Sequence, residues 1–175
     1  MTNNDETIDP KDWTDCVLIV SSQDNEMDAI HELNTLEGDL EDPDDDAVLS
    51  FYNASPIPER LLETYGEDSD DVKQKNKHAT GFTSIFEYTK KRWGTPYDAV
   101  DPELEYVNSN TENEVLKYTF KTVDGNPLGW LQQLSAQFPL LVFEITCEND
   151  HELFDSFDAI YVNGQQVAYQ THKNK

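Results

Sequence analysis

The chain has 175 residues, with 36 Asp and Glu against 12 Lys and Arg, for a formal net charge of −24. Such a surface repels nucleic acid and anionic lipid, whose phosphates carry the same sign, and attracts basic partners. Hydrophobic residues make up 37% of the chain, including eight Tyr, eight Phe and three Trp, which is enough to exclude global disorder; no apolar run approaches the roughly 20 residues of a membrane span.

The charge is uneven. Residues 1–78 hold 22 acidic and 5 basic residues, a balance of −17, whereas residues 79–175 hold 14 and 7, a balance of −7. The first residues, MTNNDETIDPKDW, lack the basic start and apolar stretch of a secretory signal, so a cytoplasmic protein is expected. Cys16 and Cys147 each sit in an apolar run and read as buried thiols of a reducing compartment rather than as a disulfide.

In chain order, Cys16–Val20 is short, apolar and β-branched, which predicts a buried strand. Met27, Ile30, Leu33 and Leu36 recur at near-helical spacing and predict a helix over about 23–37, stopped at Gly38. An acidic loop follows over 38–46. Residues 48–54, VLSFYNA, read as a second strand punctuated by Pro56 and Pro58. Pro58 suits the start of a short helix with Leu61, Leu62 and Tyr65 on one face and Gly66 at its end. Residues 66–80 hold almost nothing to bury and read as a mobile surface insertion. Phe82, Ile85, Phe86, Thr89 and Trp93 then mark a helix with Lys90, Lys91 and Arg92 in its last turn.

Leu116, Tyr118, Phe120 and Thr122 alternate with polar residues, as in a strand with one wet face. Asn126 and Pro127 open a helix carrying Trp130, Leu131, Leu134 and Phe138, which ends at Pro139. Leu141, Phe143, Ile145 and Cys147 alternate in the next strand, and Phe157, Ala159 and Tyr161 in another. Asn163-Gly164 predicts a hairpin into 166–171. The order predicts an α+β fold: an antiparallel sheet with helices on one face, and ferredoxin-like packing over 103–171. Two halves are expected. Residues 1–100 form an acidic α+β part with mobile loops at 38–46 and 66–80, and a ferredoxin-like part over 101–175 packs on it.

Three segments resemble the YubB-like proteins of phages and plasmids. DWTDCVLIVSS looks like their Trp-containing first strand, and KRWGTPYDAVDPE is similar to their aromatic-Gly-Thr turn. YTFKTVDGNPLGWLQQLSAQFPLLVFEITCEND resembles their strand–helix–Ser–x–x–aromatic–Pro–strand signature, and FYNASPIPERL also fits. Pro96-Tyr97 and Val123-Asp124-Gly125 depart from the pattern. The resemblance implies a ferredoxin-like C-terminal domain and a mobile-element origin, and it brings no catalytic residues with it.

No enzyme motif is present. From Asp42, an EF-hand would need Gly and Glu where Ala47 and Asn53 stand. His31-Glu32 and His151-Glu152 lack a zincin's second histidine, with Thr35 and Asp155 in that place. No phosphate loop, dinucleotide fingerprint or nucleophile elbow occurs, and no cofactor or metal is expected. Lys90-Lys91-Arg92 is explained by its place at a helix end, and Trp13, Trp93 and Trp130 by core packing.

The composition points to a non-catalytic acidic binding protein, and the resemblance implies that it is of mobile-element origin and acts in the host cell. It would present carboxylates, as a nucleic-acid mimic does, to the basic surface of a host nucleic-acid-binding or defence protein. The candidate binding residues are Asp39, Glu41, Asp42, Asp44, Asp45 and Asp46, with Asp68, Asp70 and Asp71 in support. Two alternatives stand beside this. One is a small ligand-binding domain or enzyme whose acidity reflects its environment; the other is an accessory phage protein.

Overall fold

The computed structural model describes residues 13–22, 24–34, 48–107, 114–149 and 155–173. Among these residues six strands form one antiparallel sheet: β1 (Trp13–Ser21), β2 (Val100–Val107), β3 (Val115–Val123), β4 (Val142–Asn149), β5 (Ser156–Val162) and β6 (Gln165–His172). Among the described residues six helices accompany them: α1 (Glu26–Asn34), α2 (Phe51–Ala54), α3 (Glu59–Glu63), α4 (Asp70–Thr80), α5 (Ile85–Arg92) and α6 (Leu128–Gln137). The fold is α+β.

The spatial strand order is β2-β3-β1-β4-β5-β6. Its first four positions, connected β1-α1-β2-β3-α6-β4, give the ferredoxin-like order. The β5–β6 hairpin, turning at Asn163-Gly164, widens that sheet by two strands. The ferredoxin-like unit is therefore not confined to 103–171. Its central strand is β1, hydrogen-bonded to β3 on one side and β4 on the other. A boundary at residue 100 runs through the sheet. Residues 48–99, with α2 to α5, form a helical excursion between α1 and β2.

Period-2 alternation assigns the two faces. Cys16, Leu18 and Val20 of β1, Leu116, Tyr118 and Phe120 of β3, and Phe143, Ile145 and Cys147 of β4 all point into one core. That core is completed by Met27 and Ile30 of α1, Phe51 of α2, Leu61 of α3, Tyr88 of α5 and Trp130, Leu131 and Leu134 of α6. At its centre the Phe51 ring lies 4.5 Å from Trp130 and 5.8 Å from Phe120. Phe138 packs against this cluster while partly exposed.

The expected strand over 48–54 is a helical turn instead. The Asp98 carboxylate accepts from Ser50 Oγ at 2.8 Å and from the Phe51 N–H at 2.6 Å, holding the first turn of α2 from 47 residues away. Pro56 and Pro58 then prevent the turn from extending. In α3 the shared apolar face also fails: Leu61 is buried, but Leu62 and Tyr65 are exposed. In α5 Phe86 points outward, and Tyr88 takes the inner place.

The expected mobile insertion over 66–80 is largely an ordered helix, α4. Ser69 accepts from the Val72 N–H at its start, and Gly81, with φ +84°, closes it. Its anchor is polar. Asn76 is buried, donates to Thr64 Oγ1 (2.8 Å) and the Thr83 carbonyl (3.2 Å), and accepts from Arg60 Nε (3.0 Å). The 38–46 loop lies outside the described residues, as do Leu36 and Gly38 of the first predicted helix.

Helix α6 begins at Leu128, after Pro127, with no side-chain cap from Asn126. Its Trp130 N–H instead donates to the Trp93 carbonyl at the end of α5, at 3.1 Å. Backbone meets backbone here, and that requires glycine. A Cβ on Gly129 would lie 2.6 Å from the Arg92 oxygen, and one on Gly94 2.1 Å from the Asn126 oxygen. The segments KRWGTP and GNPLGW are thus clasped together.

Candidate binding surface

Of the predicted binding residues, Asp39, Glu41, Asp42, Asp44, Asp45 and Asp46 lie outside the described residues. Asp68, Asp70 and Asp71 are exposed around the start of α4. They do not form a free carboxylate array. Asp68 pairs with Lys73, and Asp71 pairs with Lys75 at 2.6 Å. The hydrogen bond to Asp68 raises the Lys73 pKa above its ordinary value. Asp70 and Asp71 also fill the first turn of α4, where a negative charge complements the helix dipole.

Two residues of the basic cluster are tied down in the same way. Lys90 donates to the Asp124 carbonyl at 2.9 Å, and Lys91 to Glu87 at 2.5 Å. Trp93 donates its indole N–H to the Ser55 carbonyl at 3.0 Å, and Trp130 is fully buried, so both serve the core. Trp13 is half-buried, with Lys121 Nζ 5.8 Å from its ring centre.

A different acidic surface emerges from the sheet. The face turned away from the helices carries Asp15, Asp101, Glu103, Glu105, Glu144, Glu148 and Asp158, all exposed, on β1, β2, β4 and β5. Against these seven carboxylates stand Lys117 and Lys121. Lys117 is paired with Glu105 at 3.0 Å. Asp15 sits between Lys121 of β3 and Glu148 of β4 in the strand register. Asp158 accepts from Thr146 Oγ1 at 2.7 Å. Alternate residues of one strand stand about 7 Å apart and neighbouring strands about 4.8 Å apart, so the sheet sets these charges out on a regular lattice.

Within this face lies an open groove of about 710 Å³, whose lining includes Asp15, Val17, Asp101, Glu103, Thr119 and Lys121. A β-bulge between Val100 and Glu103 forms one wall, and Asp101 there takes the left-handed φ of +49°. Bulges re-aim side chains in this manner. On the helical side, a hollow of about 200 Å³ between α3, α4 and α5 is lined by Leu61, Tyr65, Asn76 and Phe86 among others. That is below the roughly 300 Å³ of ordinary small-molecule sites. Among the described residues no three His, Cys, Asp or Glu side chains converge as ligands for a metal ion. No helix there is long and apolar enough to cross a membrane.

The sheet-face carboxylates were accessible to sequence reasoning through alternation. Glu144 and Glu148 alternate with the apolar residues of β4, and Glu103 and Glu105 flank Leu104 of β2. Acidic residues are densest along the chain over 39–46, away from these strands.

Comparison with known proteins adds little to this description. No protein-family model matches the chain, and no curated protein matches it. Among solved structures, the crystal structure of protein api92 from Yersinia pseudotuberculosis, family DUF1281, aligns with a TM-score of 0.42 at 13% identity. The alignment covers 55% of this chain and 33% of that one, so it takes in about a third of the neighbour's length.

Proposed function

We propose that this is a non-catalytic acidic binding protein that offers the open face of its sheet to the basic surface of another protein. The observation that carries this is the excess of seven exposed carboxylates over two lysines on one regular face. A rigid sheet holds these charges without an ordering cost at binding, and a basic groove that accepts nucleic-acid phosphates presents the complementary sign. The resemblance to YubB-like phage and plasmid proteins supports a mobile-element origin. It makes a host nucleic-acid-binding or defence protein the natural partner, with this chain in the role of a nucleic-acid mimic.

The test is a gel competition. Basic nucleic-acid-binding proteins captured from a bacterial lysate are loaded with DNA, and this protein is added. Displacement of DNA at low salt that fades as salt rises supports the reading, because screening lengths fall to about 8 Å near physiological ionic strength. The variant Glu103→Lys/Glu144→Lys/Glu148→Lys should lose displacement chiefly through slower association. No displacement from any captured protein at low salt overturns the reading.

The groove at the β2 bulge favours a second reading, a site for a small cationic ligand. Its volume falls in the range of small-molecule sites, and Asp15, Asp101 and Glu103 line it. A melting temperature unmoved by a polyamine such as spermine would remove this alternative.

A further inference from the structure

The register of the central strand brings together two residues that the chain separates by 131 positions. Cys16 of β1 lies directly opposite Cys147 of β4, both side chains point into the core, and the sulfurs are 2.9 Å apart. Carbon atoms in good contact stand about 3.5–4.0 Å apart and sulfur is larger, so packing alone does not bring sulfurs this near. Residues directly opposite in an antiparallel pair have Cα atoms about 4.5–5.5 Å apart, inside the span of about 4.4–6.8 Å that a disulfide bridges. The same rung continues outward to Phe120 of β3 and Phe157 of β5, both buried. Among the described residues no third ligand completes a metal site there.

We infer that Cys16 and Cys147 are a reversible dithiol–disulfide pair, oxidised by glutathione disulfide to a cross-strand bridge that fastens the central strand β1 to β4. The step is thiol–disulfide exchange. One cysteine, as thiolate, attacks glutathione disulfide; a mixed disulfide forms and one glutathione leaves as thiolate. The other cysteine then attacks its neighbour's sulfur in that mixed disulfide, the protein S–S bond forms and the second glutathione leaves. The two thiol protons pass to the two glutathione thiolates, and two electrons pass from the cysteines to glutathione disulfide. Excess glutathione runs the same steps backward.

Burial decides which product survives. A close-packed core has no room for a glutathionyl group on either sulfur, whereas the bridge adds no atom. Exchange takes place when the end of the ladder opens. The cysteines form the third rung from that end, behind Asp15–Glu148 and Thr14–Asn149, and the Thr14 hydroxyl bonded to the Asn149 side chain closes it. Burial keeps Cys147 protonated and slows exchange while the ladder is closed. The same burial shields the finished bridge.

The experiment equilibrates the intact protein in glutathione redox buffers, folded and in urea, starting from both the reduced and the oxidised protein. Samples are quenched in acid, alkylated in denaturant and read by intact mass. The folded protein should end as the disulfide, lighter than the dithiol by two hydrogens and free of glutathione adduct. The fold holds the sulfurs together, whereas the unfolded chain must close a long loop. At fixed glutathione, half-oxidation of the folded form should therefore need at least about a hundredfold less glutathione disulfide than the urea-unfolded form. Oxidation should accordingly raise the urea midpoint of the wild type and leave that of Cys147→Ser unmoved. The wild-type comparison needs no variant, so a misfolded serine protein leaves the test intact. Equal or greater demand for glutathione disulfide in the folded form overturns the inference. So does a folded end product carrying glutathione, or a wild-type midpoint that fails to rise.

Discussion

Cys16 and Cys147 face each other across the β1–β4 pair, with their sulfurs 2.9 Å apart and both thiols free. Burial pushes the Cys147 thiol well above its ordinary pKa, and the contact with Cys16 acts in the same direction. A thiol held protonated is a poor nucleophile. Both side chains are also buried, so iodoacetamide at mildly alkaline pH should modify neither residue in the native protein and both in denaturant, as read by intact mass. Rapid native labelling would show that the β1–β4 pair opens readily.

Trp130 is fully buried against Phe51 and Phe120. Truncation to Ala should cost about 3–5 kcal/mol in urea denaturation. Its indole N–H has no hydrogen-bond partner among the described residues. Trp130→Phe should therefore lose packing volume alone and cost clearly less than the alanine variant. Equal losses would mean that the N–H has a partner after all.

Acid should weaken the α4–α5 corner. Glu87 accepts from Lys91, from the Thr83 N–H and hydroxyl at 2.7 Å each, and from Lys77 at 3.4 Å. These bonds, led by that from Lys91, hold its carboxyl well below the ordinary value of 4.5. The folded pKa is the lower one, so the stabilisation is full above the unfolded pKa and is lost as pH falls through the folded one. The urea midpoint should drop on acidification below about pH 4.5. Part of that drop should vanish in Glu87→Gln, which should itself cost on the order of 1 kcal/mol at neutral pH. A variant with an unchanged acid profile would remove Glu87 from the account.

Helix α4 depends on Asn76. Replacing it with Ala removes three hydrogen bonds and leaves Thr64, Arg60 and the Thr83 carbonyl without that partner. The expected cost is about 2 kcal/mol. Trypsin should cut slowly after Lys73, Lys75 and Lys77 in the wild-type protein and much faster in Asn76→Ala. Fast cutting of the wild type would restore the mobile insertion that composition suggests.

Local pattern alone determined much of the second half. The alternation in β3, β4 and β5, the Asn163-Gly164 turn and the apolar face of α6 are each written within about ten residues, and local sterics suffice to read them. The α+β class follows from those pieces. What remained depended on partners distant in sequence. β1 became the central strand because β3 and β4, over 90 residues away, pair with both its sides. Residues 51–54 turned helical because Asp98 caps them. α4 was hidden because a buried amide holds it, and apolar periodicity carries no trace of a polar anchor. The acidic surface divides in the same way. Net charge is a sum over the chain and is visible without a fold. Which carboxylates share a face, and which are spent on neighbouring lysines, depends on strand register and helix docking, and those are set by contacts that only the folded chain makes.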